Sequence, residues 1–202
     1  MTHQAPPNDA AVRSDDLDFR APPSALDVGI WIAVAAIGMM FLAGMIGYAI
    51  VKQRYPIVIA VPTIFWFSTA MLVVSSVMMH YGWLLARANR RAPSARALYA
   101  AGALGVVFML MQFPGLRALL DRHEIALEQR MTLYGIVLIL VSLHGAHVLG
   151  GLIATLLTAL KLDRPALPTD RPPGDHTRPL LIYWHALTVI WMAMFWMFTL
   201  LR

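Results

Sequence analysis

Five long stretches of the chain contain no Asp, Glu, Lys or Arg, and they limit the fold more than any other feature of the sequence. A helix needs about 20 apolar residues to cross the hydrocarbon core of a bilayer. Each stretch is long enough, and none shows the period-two alternation of a transmembrane barrel. The sequence therefore predicts an all-α membrane protein, a bundle of five transmembrane helices. The predicted spans are 28–51, 60–86, 97–116, 131–160 and 179–201.

Composition agrees with an integral membrane protein. Hydrophobic residues make up 59% of the chain and charged residues 13%, against about half and about a quarter in soluble domains. The absence of cysteine excludes disulfides, thiolate metal sites and haem attached through cysteine. The net charge of +5 is typical of loops that set membrane orientation and attract anionic head groups, so no nucleic-acid partner is predicted.

The first 27 residues differ from the rest of the chain. They are polar and rich in proline, and they lack the basic start and apolar centre of a signal peptide. We expect residues 1–27 to form a mobile cytoplasmic tail in front of a transmembrane domain at 28–202.

The basic residues are distributed unevenly between the two sides of the predicted bundle. Ten of the 16 fall in the tail and in the loops after the second and fourth helices. The positive-inside rule then places the N-terminus in the cytoplasm and the C-terminus in the periplasm of a bacterial inner membrane, as a multi-pass protein. The tightest cluster follows the second helix, and its side chains are candidates for lipid head-group binding. These are Arg87, Arg90, Arg91 and Arg96.

Polar side chains are few within the five stretches, and none is acidic. Proton relays and ion-coupled transporters usually place Asp or Glu at membrane depth, so a self-sufficient pump or transporter is disfavoured. An ionisable group within the membrane is nevertheless a candidate for function. The main polar candidates are His80, Gln112, His144, His147 and His185.

The fourth stretch contains two histidines three residues apart, His144 and His147, which point to one side of a helix. They fit three interpretations: metal or haem ligands, proton carriers, or hydrogen-bonding groups in a tight seam between helices. Small residues recur every four positions beside them, with Gly151 on the histidine face, and such a pattern lets helices pack closely. The seam is therefore favoured. The small-residue ladder consists of Ser142, Ala146, Gly150, Ala154 and Thr158.

Two other histidines fit a haem better than this pair does. A b-type haem needs histidines from facing helices at similar depth, and His80 and His185 both lie about 10 Å from the inner surface at 1.5 Å per residue. A haem-carrying electron carrier is therefore kept as an alternative. Near His185, Tyr183 and Trp184 are typical of an interfacial aromatic belt, and Trp191 shares a helix face with Trp184.

Several phrases of the sequence together resemble subunit III of the haem–copper oxidase family, in its short five-helix bacterial form. "LHGAHVLGG" with His144 and "YWHALTVIW" with His185 are similar to the two histidine phrases of that family. The resemblance is supported by "STAMLVVSS" at 68–76, by Trp31 in the first helix and by Gln112 in the third. The resemblance covers nearly all of residues 27–202.

This resemblance implies a non-catalytic accessory subunit of a membrane-bound terminal oxidase in aerobic respiration. Such a subunit stabilises the catalytic subunit I, supports proton uptake and binds phospholipid. Haem and copper then belong to the partner subunits, and this chain holds no metal, no cofactor and no catalytic residue. The motif side chains are implied to be structural hydrogen-bonding groups: Ser75, Ser76, Gln112, His144, His147, Tyr183, Trp184, His185 and Trp191.

Acidic residues of the family are missing from four positions of this chain. The family has Glu or Asp at the positions occupied here by Ile37, Thr188, Arg178 and the pair Gly115–Leu116. The departures favour a divergent member without a carboxylate route for protons. A subunit III-like protein that accompanies a nitric oxide reductase is therefore a second alternative.

Overall fold

The structure is a computed structural model that describes residues 25–54, 63–126, 132–165 and 172–200. These residues form five α-helices and no strand, as the sequence predicts. Each helix contains a stretch long and apolar enough to cross a membrane. The helices are α1 (Ala25–Arg54), α2 (Ile64–Arg87), α3 (Arg91–Ala126), α4 (Thr132–Asp163) and α5 (Pro173–Leu200).

Helix α3 differs most from its predicted span of 97–116. It begins at Arg91 and ends at Ala126, and Pro114 lies inside it. The charge-free stretch is shorter than the helix, because turns with charged residues continue the helix beyond its apolar part at both ends. The predicted tail lies almost entirely outside the described residues, as do 60–62, 131 and 201 of the predicted spans.

A tight turn joins α2 to α3 and makes them an antiparallel pair. Asn89 has a φ of 57°, a left-handed conformation that Asn tolerates better than most residues. The amides of Asn89 and Arg90 donate to the carbonyls of Ala86 and Leu85, which caps the end of α2 as a Schellman motif. The Ser94 hydroxyl then donates to the carbonyl of Gly82 at 2.8 Å and ties the start of α3 back to α2.

Helix α4 buries one regular face against α3 and α5. His144, Val148, Gly151, Thr155 and Ala159 are all buried, at spacings of three and four residues. This face, rather than the small-residue ladder, is where α4 packs within the chain.

Helix α1 lies at the edge of the bundle. Only 6% of its apolar window is buried inside the chain. Phe41 and Tyr48, seven residues apart, are fully buried, and Tyr48 packs edge-on against Phe198 of α5 with ring centroids 5.2 Å apart. Gly44, between them, approaches α4 so closely that a Cβ there would lie 2.5 Å from Leu140. The remaining apolar surface of α1 is available to lipid or to another chain.

The α2–α3 turn lies at the same end of the bundle as the end of α4 and the start of α5. Arg91 Nη2 donates to the carbonyl of Lys161 at 3.4 Å, and Gly174 lies against Arg87. The Arg87 guanidinium also lies 4.9 Å from the centre of the Trp83 ring. Much of the basic charge of the described helices therefore gathers at one end.

Candidate functional site

His144 lies in a cage of aromatic rings formed by Phe41 of α1, Phe108 of α3 and Trp191 of α5. Its centroid is 5.2 Å from that of Trp191, at an interplanar angle of 32°, and 6.0 Å from each of the two phenylalanines, which meet it edge-on. The side chain is 1% exposed. Neither ring nitrogen has a hydrogen-bond partner among the described residues. The sequence predicted a hydrogen-bonding role for His144, whereas in the structure its side chain is surrounded by aromatic rings.

Trp191 connects this aromatic cage to α2. Its indole nitrogen donates to Thr69 Oγ1 at 2.9 Å, and the Thr69 hydroxyl donates to the carbonyl of Phe65 at 2.6 Å. The ring also meets Phe65 and Phe108 edge-on, with centroids 5.9 and 5.2 Å apart. Trp191 is thus held by a polar contact on one side and by rings on the others. Thr69 belongs to the phrase "STAMLVVSS", but nothing in the sequence singled it out.

Gln112 of α3 is held by Ser68 of α2. The Ser68 hydroxyl donates to the carbonyl of Phe65 at 3.1 Å, so its oxygen accepts from Gln112 Nε2 at 2.9 Å. The amide oxygen of Gln112 is left without a partner among the described residues, although the side chain is only 9% exposed.

A cavity of about 260 Å³ lies between α3 and α4, and both His144 and Gln112 line it. Trp191 and Phe108 also line the cavity, and the rest of its lining is mainly apolar. The cavity opens on the outer surface, beside the exposed side chain of Phe113. It therefore extends from these two side chains, which have atoms without partners among the described residues, to the outer surface of the bundle.

His147 makes different contacts from His144. Its Nδ1 lies 2.7 Å from the carbonyl of Leu143 in the same helix, so this nitrogen carries a proton and donates. The carbonyl of His147 accepts a hydrogen bond from the hydroxyl of Tyr183, 2.9 Å away in α5. The histidine ring packs edge-on against Phe41, 5.8 Å between centroids. The interhelical bond at His147 therefore uses its backbone and not its ring.

His185 of α5 makes the polar contact that His144 lacks. Its Nδ1 and the Ser76 hydroxyl oxygen of α2 lie 2.6 Å apart and share a hydrogen bond. Next to it, the Ser75 hydroxyl donates to the carbonyl of Ala101 in α3 at 2.7 Å. The His80 ring lies 5.8 Å from the His185 ring between centroids, at 38°. The structure thus brings together the two histidines that sequence depth paired.

The small-residue ladder lies on the outer face of α4. Ser142, Ala146, Gly150 and Ala154 are exposed and Thr158 is half-buried, so the ladder forms no seam inside this chain. Within the chain, the predicted close packing is found at Gly151, and packing of the ladder against another chain stays a prediction. In an apolar helix the sequence pattern did not show which small-residue face points inward.

Gly151 and Gly105 make room for Trp184. A Cβ on Gly151 would lie 3.1 Å from the Trp184 ring, and one on Gly105 would lie 3.0 Å from it. Trp184 is 1% exposed, so it packs inside the bundle, although its position had indicated an interfacial belt. The sequence did not indicate this role for Gly105, because an isolated glycine in an apolar helix belongs to no periodic pattern.

The positions where acids were expected make apolar or local contacts. The Thr188 hydroxyl donates to the carbonyl of Trp184 in its own helix at 2.9 Å. Gly115 lies so close to Phe65 that a Cβ would come within 2.6 Å of its ring. Ile37 packs at the edge of the core, and Leu116 lines the cavity. Arg178 is exposed near the start of α5.

The four arginines proposed for lipid head groups all lie near the α2–α3 turn. Arg87, Arg90 and Arg96 are exposed, and Arg91 is half-buried against α4. Their placement at one end of the bundle, where a membrane surface would lie, fits contact with anionic groups.

Among the described residues, no group of three or more His, Asp or Glu side chains is placed to hold a metal ion. Comparison of the chain with models of known protein families finds no match. A search among proteins of curated function finds none either.

Proposed function

We propose that the chain is a non-catalytic accessory subunit, of the subunit III type, in a membrane-bound haem–copper terminal oxidase. In this proposal haem and copper belong to partner subunits, and the chain stabilises catalytic subunit I and supports its proton uptake and lipid contacts. The observation that carries the proposal is where the motif side chains lie. Most of those in the two histidine phrases and in "STAMLVVSS" make contacts between helices inside the bundle.

Three contacts illustrate this use of the motif residues. Trp191 donates to Thr69, His185 shares a hydrogen bond with Ser76, and Tyr183 donates to the backbone of His147. Together they join α2, α4 and α5. Their bonding capacity is used to hold helices in place, which is what a structural subunit requires of polar groups within a membrane.

The outer face of α4 offers a surface for the catalytic subunit. Gly150, Ala154 and Thr158 of the ladder let the backbone of a neighbouring helix approach closely. In the proposal this part of the ladder packs against the partner. The exposed apolar surface of α1 faces lipid or further subunits.

The basic end of the bundle supports a bacterial inner-membrane location with the N-terminus in the cytoplasm. The arginines at the α2–α3 turn and Lys161 lie at the end that the positive-inside rule assigns to the cytoplasm. The C-terminus is then periplasmic. Basic groups at this end attract anionic phospholipids with about 1 kcal/mol for each charge near the surface.

A subunit III-like protein that accompanies a nitric oxide reductase is the second candidate. It is favoured by the residues at the family's acidic positions, since Thr188 bonds its own helix and Gly115 leaves no space for a side chain against Phe65. Such a chain has lost carboxylates that an oxidase subunit usually retains.

A b-type electron carrier with haem on His80 and His185 is the third. It is favoured by the 5.8 Å approach of the two rings and by the Ser76 contact, because a metal-bound histidine usually has a partner on its other nitrogen.

Mild solubilisation and affinity isolation of the tagged chain from its own membranes tests the proposal. We expect a haem–copper catalytic subunit to be recovered with it, and isolation without any such subunit would contradict the proposal. Membranes that lack the chain should lose O2 consumption if it serves an oxidase, and NO consumption if it serves the reductase.

A pair of variants sharpens the same experiment. Ala154→Phe, on the ladder, should reduce the amount of catalytic subunit recovered, because a large ring keeps the helices apart. Ala100→Phe, on an exposed position of α3, should leave recovery unchanged. Equal recovery with both variants would remove the ladder from the interface.

A further inference from the structure

Two buried polar side chains line one cavity and carry atoms without hydrogen-bond partners among the described residues. His144 is 1% exposed and Gln112 is 9% exposed, and both line the space between α3 and α4. Within the part of the chain that the structure describes, the two nitrogens of His144 and the amide oxygen of Gln112 are unpaired. Leaving buried polar groups unpaired is costly, so such a pair at the wall of a cavity points to a molecule that supplies the missing bonds.

The missing bonds specify the polar part of that molecule. A neutral imidazole offers one donor and one acceptor, whereas the Gln112 oxygen only accepts. Since Ser68 holds the Gln112 amide nitrogen, the oxygen is fixed as the free group. A hydroxyl both donates and accepts, so it can pair with both side chains. An ether or a ketone cannot donate to Gln112, and a plain acyl chain satisfies neither.

The walls and the volume specify the rest of the molecule. The lining is largely apolar and includes the rings of Phe108, Phe113 and Trp191. The volume of about 260 Å³ is just below the range of about 300–1,000 Å³ that holds drug-sized ligands. This space suits a single planar ring, and an attached chain can pass through the mouth.

The mouth opens within the membrane-spanning parts of α3 and α4. Phe113 is 68% exposed and Leu149 is 50% exposed at its rim, and Ser142 and Ala146 are too small to close it. A molecule would therefore enter from the bilayer and not from water. The rim lies nearer the start of α4 than Ala154, the ladder position tested for the partner.

We infer that the α3–α4 cavity binds a membrane-dissolved molecule of the phenol and hydroquinone class, with its ring hydroxyl bonded to His144 and Gln112. The inference concerns binding alone and does not depend on the chain being an oxidase subunit. Gly145 provides a means of closing the site. It lines the cavity, and a Cβ on it would meet nothing within 4 Å.

The test uses the full chain in lipid nanodiscs and three probes with the same tail: 4-decylphenol, its methyl ether 4-decylanisole, and 1-decanol. Bound probe is measured against protein-free discs of the same lipid. We expect saturable binding of one 4-decylphenol per chain. It should bind about tenfold more tightly than the ether, the ratio for roughly 1.4 kcal/mol, which is the size of one hydrogen bond. Decanol, which lacks the ring, should also bind more weakly than the phenol.

Variants locate the site. Gly145→Leu should abolish saturable binding by filling the cavity, whereas Gly47→Leu, another glycine whose Cβ meets nothing, should retain it. His144→Phe keeps an aromatic ring in the cage and should reduce the phenol to the affinity of the ether. The inference would be overturned if the phenol bound no more to protein-containing discs than to protein-free ones, or if it bound no more tightly than the ether or decanol. Unchanged phenol binding in Gly145→Leu would also overturn it.

Discussion

His144 and His185 are both histidines in apolar helices, and the structure uses them in opposite ways. His144 lies among the rings of the aromatic cage, 1% exposed and without a hydrogen-bond partner among the described residues. His185 is half-buried, and its ring shares a 2.6 Å hydrogen bond with Ser76. The middle of the bundle is therefore held mainly by aromatic packing, and the region around His185 by polar contacts between helices. The presence of a histidine in an apolar helix therefore does not by itself indicate a hydrogen bond between helices.

Removal of Trp191 should have the largest effect on this comparison. Trp191→Ala deletes a 2% exposed indole that packs against His144 and donates to Thr69, so we expect a loss of about 3–5 kcal/mol of unfolding free energy. Reversible unfolding in mixed detergent micelles measures it. The control Trp31→Ala removes a 56% exposed indole and should change stability little. Similar losses in both variants would contradict packing as the main stabilising contribution in the cage.

Gly115 tests how tightly the rings beside the cage are packed. Gly115→Ala places a Cβ 2.6 Å from the ring of Phe65, which packs on Trp191, and should cost about 1–3 kcal/mol. Gly38→Ala, in open space on α1, should instead gain up to about 1 kcal/mol from the higher helix propensity of alanine. The same unfolding measurement gives both values, and effects of equal sign would show that the rings yield easily.

Ser76→Ala tests the polar side of the comparison. It removes the hydrogen bond to His185 and should cost about 0.6–2 kcal/mol, the range for bonds between membrane helices. Ser142→Ala, at an exposed position, should have no measurable effect on unfolding. If the two serine variants unfold alike, the contact at His185 does not stabilise the bundle.

His144→Phe should have the smallest effect. In the absence of a ligand it removes a polar ring that has no hydrogen-bond partner among the described residues and keeps an aromatic one beside Trp191. The unfolding free energy should stay unchanged or rise slightly, because a buried polar ring without a hydrogen-bond partner is costly and Phe removes that cost. His185→Phe should be destabilised like Ser76→Ala. A larger loss in His144→Phe than in His185→Phe would reverse the comparison.

The sequence predicted the helices well because charge marks where the membrane ends. It underestimated α3, whose charged turns continue the helix from Arg91 and to Ala126 beyond the apolar part. It paired His80 with His185 correctly by depth, since rise per residue is regular along a helix.

The sequence could not predict which faces of the helices lie inside. Lipid is as apolar as the protein interior, so an apolar helix shows little periodicity to separate the ladder of Ala146 and Gly150 from the buried face of His144 and Val148. For the same reason the rings of Phe41 and Phe108 around His144 carried no signal. The cavity depends on which side chains meet across α3 and α4, and three-dimensional placement alone shows this.

In the proposed assignment, haem and copper belong to a partner subunit, and no histidine of this chain ligates haem. The reduced-minus-oxidised visible spectrum of the isolated complex, recorded before and after the chain is separated from its partner, tests it most directly. We predict haem bands in the complex, with all of the haem retained by the partner and none by the separated chain. A separated chain with its own α band, lost in His185→Ala, would contradict the claim and identify a haem-carrying protein.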